Sequence, residues 1–142
     1  MDYQIRTDPK ELDSTGCMEI GPGRYNKKHW QPGFLFIWED AFGMAEGIVT
    51  KHFPSYDHFG MNDISKKIGK EIITEWRTAA SRIIDNPEAD ASTLLNLSAS
   101  YSTSFAKEIG THRQDIADLL ARLADACEKF YRQKDCICIL GM

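Results

Sequence analysis

The hydrophobic pattern changes abruptly near residue 38, from a short apolar run into a helical repeat. Residues 34–38 (Phe-Leu-Phe-Ile-Trp) are aromatic and β-branched and follow a Pro-Gly turn signal, which predicts a buried strand. The next two residues, Glu39 and Asp40, suit the first turn of a helix, because its free N–H groups and its dipole favour negative charge. We expect this helix to span residues 39–53, where a proline stops it.

Two glycines, Gly43 and Gly47, lie about one turn apart inside this predicted helix. Each costs roughly 1 kcal/mol relative to alanine in a helix interior, so each is expected to have a packing or functional reason. Close packing against a neighbouring element is the favoured explanation, and close backbone approach to a ligand is the alternative.

Apolar residues recur every three to four positions in two later segments, which predicts two long helices. The first is expected to begin at an N-cap, Asn62 or Asp63, and to end near residues 85–87. The second is expected to span residues 91–109, with Gly110 as its C′ residue. Its serine-rich opposite face is a weak helix former.

A third long helix has the strongest start signal, because Thr111 followed by Gln114 has the pattern of a capping box. Two apolar runs, at residues 17–20 and 136–140, are predicted strands. We expect the second run to pair with residues 34–38 or with the first run. The pattern predicts an α+β, helix-rich fold, in which a small antiparallel sheet packs against three to four helices.

The composition indicates one soluble globular domain. A length of 142 residues suits a single domain over residues 1–142, and residues 1–15 lack apolar periodicity, which predicts a loose N-terminal arm. No apolar run approaches the ~20 residues needed to cross a bilayer, and the chain starts without a signal-peptide core. We therefore expect a cytoplasmic protein without a membrane partner, whose 4 cysteines are reduced.

The charge distribution disfavours nucleic acid as a partner. The formal net charge is −4, and acids and bases are divided evenly between the two halves of the chain. Between residues 115 and 128 the third predicted helix carries mostly acidic charges, which DNA would repel. A mildly acidic surface suits a basic protein partner, although it is also typical of soluble proteins in general.

No recognised catalytic or metal-binding motif is present. The chain lacks a GxSxG elbow, a glycine-rich phosphate loop, an HExxH pair and a CxxC pair. Cys136 and Cys138 would share one face of a strand and could bind a metal ion together with His29 or His58, but burial as small hydrophobic residues is the favoured interpretation. We predict no cofactor and no catalytic residue.

One block of the chain, residues 33–80, combines several aromatic and acidic motifs. They are Phe-Leu-Phe-Ile-Trp-Glu-Asp-Ala-Phe-Gly-Met at residues 34–44, Ile48-Val49, Pro54-x-Tyr-Asp-His-Phe-Gly at residues 54–60, Ile64 and Trp76. This block resembles small bacterial immunity proteins of contact-dependent inhibition and other polymorphic toxin systems. The resemblance implies a compact, non-enzymatic cytoplasmic protein that binds the toxin domain of its own system, for example a nuclease, and blocks its active site or an essential surface.

The polar residues of this block are the candidate partner-binding residues. They are Glu39, Asp40, Glu46, Asp57 and His58. Charge matching to a basic toxin domain would speed association and set specificity. Two alternatives stay open: a small enzyme or ligand-sensing domain with His58, Asp57 and a cysteine in one pocket, and a chaperone for a secreted effector. A deep cleft in which those side chains converge would favour the enzyme.

Overall fold

A computed structural model describes residues 1–12, 16–86 and 88–141 and confirms the α+β, helix-rich fold. Four strands form one antiparallel sheet in the order β2-β1-β4-β3. The strands are β1 (Cys17–Pro22), β2 (Leu35–Trp38), β3 (Met61–Ser65) and β4 (Cys136–Leu140). The helices are α1 (Glu39–His52), α2 (Lys66–Asp85), α3 (Ala91–Leu94), α4 (Ala99–Ser104), α5 (Ala106–Thr111) and α6 (Arg113–Gln133), and a short 3-10 helix spans Pro9–Glu11. No helix in the described ranges has both the length and the apolar character required to span a membrane.

The sheet separates two apolar clusters, because successive strand residues point to opposite faces. On one face, strand residues pack with the apolar stripes of α1, α2 and α6 in the main core. The indole N–H of Trp76, a buried α2 residue, donates to the carbonyl of Ala45 in α1 at 3.0 Å. On the other face, loop 24–33 covers a smaller cluster. Its members are Phe34, Phe36, Cys138 and Leu140, with Leu12, Tyr25 and Trp30 packed against them.

The expectation of a loose N-terminal arm is wrong for the first six residues. Tyr3 is buried, and its hydroxyl donates to the carboxylate of Glu108 at 3.0 Å. Arg6 and Phe36 exchange two backbone hydrogen bonds, of 2.9 and 2.8 Å, so that residue 6 lies against the outer edge of β2. Residues 13–15 of the predicted arm lie outside the described residues.

The predicted strand and helix at residues 34–53 are confirmed to within one residue by β2 and α1. Gly47 contacts the backbone of the segment after α3, since an added Cβ would lie 2.3 Å from the carbonyl oxygen of Asn96. An added Cβ at Gly43 would overlap the ring of Tyr101. Both glycines therefore permit close packing, which was the favoured explanation.

The predicted N-cap at Asn62 or Asp63 is wrong, because residues 61–65 form the strand β3. The helix α2 begins after Ser65, whose hydroxyl accepts a hydrogen bond from the N–H of Ile68 at 3.4 Å. It ends at Asp85, near the predicted end, and Pro87 lies outside the described residues. β4 pairs with β1, as one of the two expected alternatives, and also with β3.

The predicted single helix over residues 91–109 is wrong. The segment contains α3, α4 and part of α5, because capping groups interrupt it. Asn96 adopts a left-handed backbone conformation, with φ of 55°. The hydroxyl of Ser98 then accepts a hydrogen bond from the N–H of Tyr101 at 3.2 Å and starts α4. Gly110 lies inside α5 and is not its C′ residue.

The predicted capping box is also wrong. The Thr111 hydroxyl donates backwards to the carbonyl of Lys107 at 2.7 Å, within the preceding helix. The Gln114 side chain donates to Asp118 at 2.9 Å. The N-cap position of α6 is taken by His112, one residue later than expected.

Candidate functional site

His58 lies between two glutamates of α1. Its Nε2 is 2.6 Å from Oε1 of Glu39, and its Nδ1 is 2.5 Å from Oε1 of Glu46. The two glutamates are seven residues apart, about two helical turns, so they project from the same side of α1. We call the group of Glu39, Glu46 and His58 the His58 clamp.

The clamp favours a positively charged imidazole. Burial lowers the pKa of His58, but the hydrogen bonds and charges of Glu39 and Glu46 outweigh burial, and the pKa is raised above its usual value. A protonated imidazole donates through both nitrogens and has no lone pair left to accept a proton. This arrangement suits a structural cation between two carboxylates better than a general base.

The other two predicted site residues lie outside the clamp. Oδ1 of Asp57 accepts a hydrogen bond from the N–H of Phe59 at 3.0 Å, and its carbonyl accepts from the N–H of Gly60 at 3.1 Å. Asp40 is exposed, and its backbone carbonyl accepts from the Tyr101 hydroxyl. The structure therefore brings together three of the five predicted residues and leaves two as separate exposed charges.

Hydrogen bonds to backbone groups hold the loop that carries His58. The buried side chain of Asn62 accepts from the N–H of Asp57 at 2.8 Å and donates to the carbonyls of Asp57 and Ile139, at 2.8 and 3.1 Å. The N–H of Gly141 donates to the carbonyl of Gly60 at 2.9 Å. Since buried polar groups are costly when unsatisfied, these bonds fix the loop against β4.

Two apolar side chains in the segment that carries His58 are exposed and were missed in the sequence. Phe59 is 72% exposed and Met61 is 60% exposed, more than any other large hydrophobic side chain in the described ranges. The Phe59 ring meets the His58 ring edge-on, with centroids 4.6 Å apart. We call the clamp together with Phe59 and Met61 the acidic–apolar patch. The exposure of Met61 follows from the alternation of exposed and buried residues along β3, in which Asn62 and Ile64 are buried.

A second histidine–carboxylate pair lies under loop 24–33. Glu19 of β1 is fully buried, with Oε1 2.9 Å from Nδ1 of His29 and Oε2 accepting from the N–H of Trp30 at 3.0 Å. The Tyr25 hydroxyl lies 3.2 Å from Nε2 of His29. Trp30 has a φ of 59°, which is strained for a bulky residue. Glu19 thus holds the loop over the sheet, in a conformation that its residues would not adopt unaided.

The cysteines offer little for catalysis. Cys17, Cys127 and Cys138 are buried, and Cys136 is partly exposed. Burial raises the pKa of Cys127 to about 12, and that of Cys138 also to about 12, so both are thiols at neutral pH. Within the described ranges, no three histidine, cysteine, aspartate or glutamate side chains are arranged to hold a metal ion. His58 contacts glutamates, where the enzyme hypothesis would need a cysteine partner.

A groove lies elsewhere, along α1, α2 and α3. It is open to solvent and has a volume of about 750 Å³. Its charges are mixed, because Lys51 and His52 both bind Glu75, at 3.0 and 2.8 Å. None of the five predicted site residues lines it.

The chain matches no protein-family model, no curated protein and no solved structure. The acidic–apolar patch and the resemblance carried by residues 33–80 are therefore the indications of function.

Proposed function

We propose that this protein is a non-enzymatic immunity protein that binds and neutralises a cognate toxin domain. The observation that supports this proposal best is the acidic–apolar patch, in which Phe59 projects into solvent against the ring of His58 and Met61 is exposed two residues further along the chain. Exposed large apolar side chains that lie together commonly mark a protein interaction site. A few such anchors supply most of the affinity of an interface.

The patch suits binding because its backbone is already fixed in the free protein. Asn62 and Gly141 fasten the loop on which Phe59 lies, and the His58 clamp joins the same loop to α1. A surface that is ordered before binding loses less conformational entropy in the complex. The patch would therefore present its two apolar anchors without a folding step.

Charge indicates the chemistry of the partner. The net charge of the chain is −4, and the exposed residues Asp57 and Asp63 precede and follow Met61 in the sequence. Exposed carboxylates around an apolar centre are complementary to a partner that carries lysine or arginine around an apolar residue. A basic toxin domain, as expected for a nuclease that binds an acidic polymer, fits this description.

The clamp supports binding over acid–base catalysis. Both ring nitrogens of His58 are occupied by carboxylates, and these carboxylates raise the pKa of the ring, which favours its charged form. A catalytic histidine needs a nitrogen directed at a substrate or nucleophile. The clamp instead gives the loop a fixed position relative to α1, which serves a binding surface.

The test uses the toxin domain encoded beside the gene for this chain. The two proteins are mixed, their Kd is measured by calorimetry, and the activity of the toxin domain is assayed with and without this protein. We expect tight binding and loss of toxin activity. A toxin domain that binds but stays active would support the effector chaperone instead, and the absence of binding would overturn the proposal.

Alanine variants locate the interface. Phe59→Ala and Met61→Ala are each expected to weaken binding by about tenfold or more, because interface anchors contribute over 1.4 kcal/mol. Ile84→Ala is the matched control. Ile84 is also an exposed large apolar residue, but it lies near the C-terminal end of α2, whereas Met61 comes shortly before the N-terminal end. Equal effects of all three variants would place the interface elsewhere.

A further inference from the structure

The two edges of the sheet differ in a way that points to a mode of partner binding. At the β2 edge, both backbone groups of Phe36 are paired with Arg6, so the chain itself covers this edge at Phe36. At the other edge lies β3, which pairs with β4 on one side only. A strand with an unpaired side is a template for another strand.

The backbone hydrogen bonds at the two ends of β3 show which of its N–H and C=O groups point away from β4. The N–H of Gly141 donates to the carbonyl of Gly60, and the N–H of Lys66 donates to the carbonyl of Asp135. In an antiparallel ladder, alternate residues direct both backbone groups to the same neighbour. Even-numbered residues of β3 therefore bond to β4, and the N–H and C=O groups of Met61 and Asp63 point outward.

These outward groups have no partner in the described part of the chain. No backbone or side-chain hydrogen bond there involves the main-chain N–H or C=O of Met61 or Asp63. The side chains of the same two residues are exposed on the sheet face opposite the helices. β3 thus offers a partner backbone hydrogen bonds and an apolar and an acidic side chain, two residues apart.

We propose that an extended segment of the toxin domain adds a strand to β3. The segment would carry an apolar residue opposite Met61 and, two positions away on the same face, a lysine or arginine opposite Asp63. Directly opposed residues of neighbouring strands interact most strongly, and opposite charges there are favourable. This inference rests on the proposed function, because it assigns how the same partner is held.

A second copy of this chain is a poorer occupant of the edge. Antiparallel self-pairing along the full length of β3 would place Asp63 opposite Asp63 of the second copy. Like charges directly opposite each other destabilise a strand pair. The edge therefore favours a partner whose charge at that position is positive.

Amide hydrogen exchange, resolved by NMR, tests the inference on the unmodified protein. In the free protein, the amides of Met61 and Asp63 should exchange fast, whereas those of Asn62 and Ile64 should be protected by β4. With the toxin domain bound, Met61 and Asp63 should become protected as well. Binding that leaves these two amides unprotected would overturn strand addition while the proposed function stands.

A matched pair of variants tests the same point through affinity. Asp63→Pro removes the outward N–H, which β4 does not use, and proline is tolerated on edge strands. Asp63→Ala keeps the N–H and, like the proline variant, removes the hydrogen bond that Oδ1 accepts from the N–H of Tyr25. Asp63→Pro is expected to bind the toxin domain about tenfold more weakly than Asp63→Ala.

Three outcomes separate the hypotheses. Equal affinities of these two variants, with both folded by circular dichroism, would overturn strand addition. Failure of the unmodified protein to bind the toxin domain would overturn the proposed function itself. Protection of Met61 and Asp63 that increases with the concentration of this protein alone would assign the edge to a second copy and overturn the toxin segment as its occupant.

Discussion

A Cβ placed on Gly141 would lie 1.6 Å from the carbonyl oxygen of His58, so the end of β4 and the His58 loop meet backbone to backbone. Gly141→Ala should force these segments apart and break the hydrogen bond to Gly60. We expect a loss of about 1–2 kcal/mol in the free energy of unfolding, measured by urea denaturation.

Gly110→Ala is the control for this substitution. Gly110 lies within α5 with no atom near an added Cβ, so alanine should be neutral or slightly stabilising. If the two variants were equally stable, the close approach at His58 would not constrain the loop.

The His58 clamp should make stability depend on pH. The pKa of His58 is raised in the folded state, so its stabilising contribution is complete below its unfolded pKa of about 6.5 and is lost as pH rises through the folded value. The difference in unfolding free energy between the unmodified protein and His58→Gln should therefore shrink above about pH 6.5.

Urea denaturation between about pH 5.5 and 9 checks this dependence. In a background with Glu39→Gln and Glu46→Gln, the same His58→Gln substitution should lose most of its pH dependence, because the two charges that raise the pKa are absent. A stability difference that increased with pH would contradict the clamp.

Glu19 should control the opening of loop 24–33. Glu19→Ala removes the partners of His29 and of the Trp30 N–H, and we expect it to cost about 2–3 kcal/mol. Glu19→Gln keeps an acceptor for Trp30 and should cost less. Trypsin should cut the alanine variant faster, since the loop contains Arg24, Lys27 and Lys28. An unchanged cleavage rate there would mean that other contacts hold the loop.

The four cysteines should differ in reactivity. Burial raises the pKa of Cys127 and of Cys138 to about 12, whereas Cys136 is partly exposed. Iodoacetamide should therefore modify Cys136 first under native conditions, as mass spectrometry of tryptic peptides would show. In urea all four should react at similar rates. Native modification of Cys127 at the rate of Cys136 would contradict the buried position of α6.

The sequence predicts the elements whose signals are local. β2 and α1 were predicted because an aromatic run ends in two acidic residues, and both features act within a few residues of chain. β3 was missed because Ile64 also fits the apolar repeat of α2, and because a buried asparagine does not stand out as apolar. Asn62 is buried only because Asp57 and Ile139 satisfy its amide, and Ile139 is distant in sequence.

The errors over residues 91–114 have a common physical cause. Serine, threonine and asparagine side chains bond to nearby backbone groups and compete with a continuous helix. Ser98 caps a new helix in this way, and Thr111 bonds back to Lys107 where a forward cap was predicted. The apolar period alone does not show which of these local bonds forms.

The candidate site was predicted in its charges but not in its geometry. Glu39 and Glu46 share a helix face by their spacing, yet the position of His58 between them depends on the loop that Gly141 and Asn62 hold. Phe59 was not identified as exposed, because an aromatic residue in an apolar block suggests core. Tertiary contacts decide both the position of His58 and the exposure of Phe59.

The pairing of Arg6 with Phe36 also limits how an assembly could grow. A partner strand on β3 would extend the sheet by one strand, but at the opposite edge the outward backbone groups of Phe36 are already bonded to Arg6. Open sheets with two free edges can propagate into fibres, whereas a sheet that is closed on one side stops after a single addition. Binding through β3 would therefore end at one partner per chain, and mixtures with excess toxin domain would contain discrete one-to-one particles.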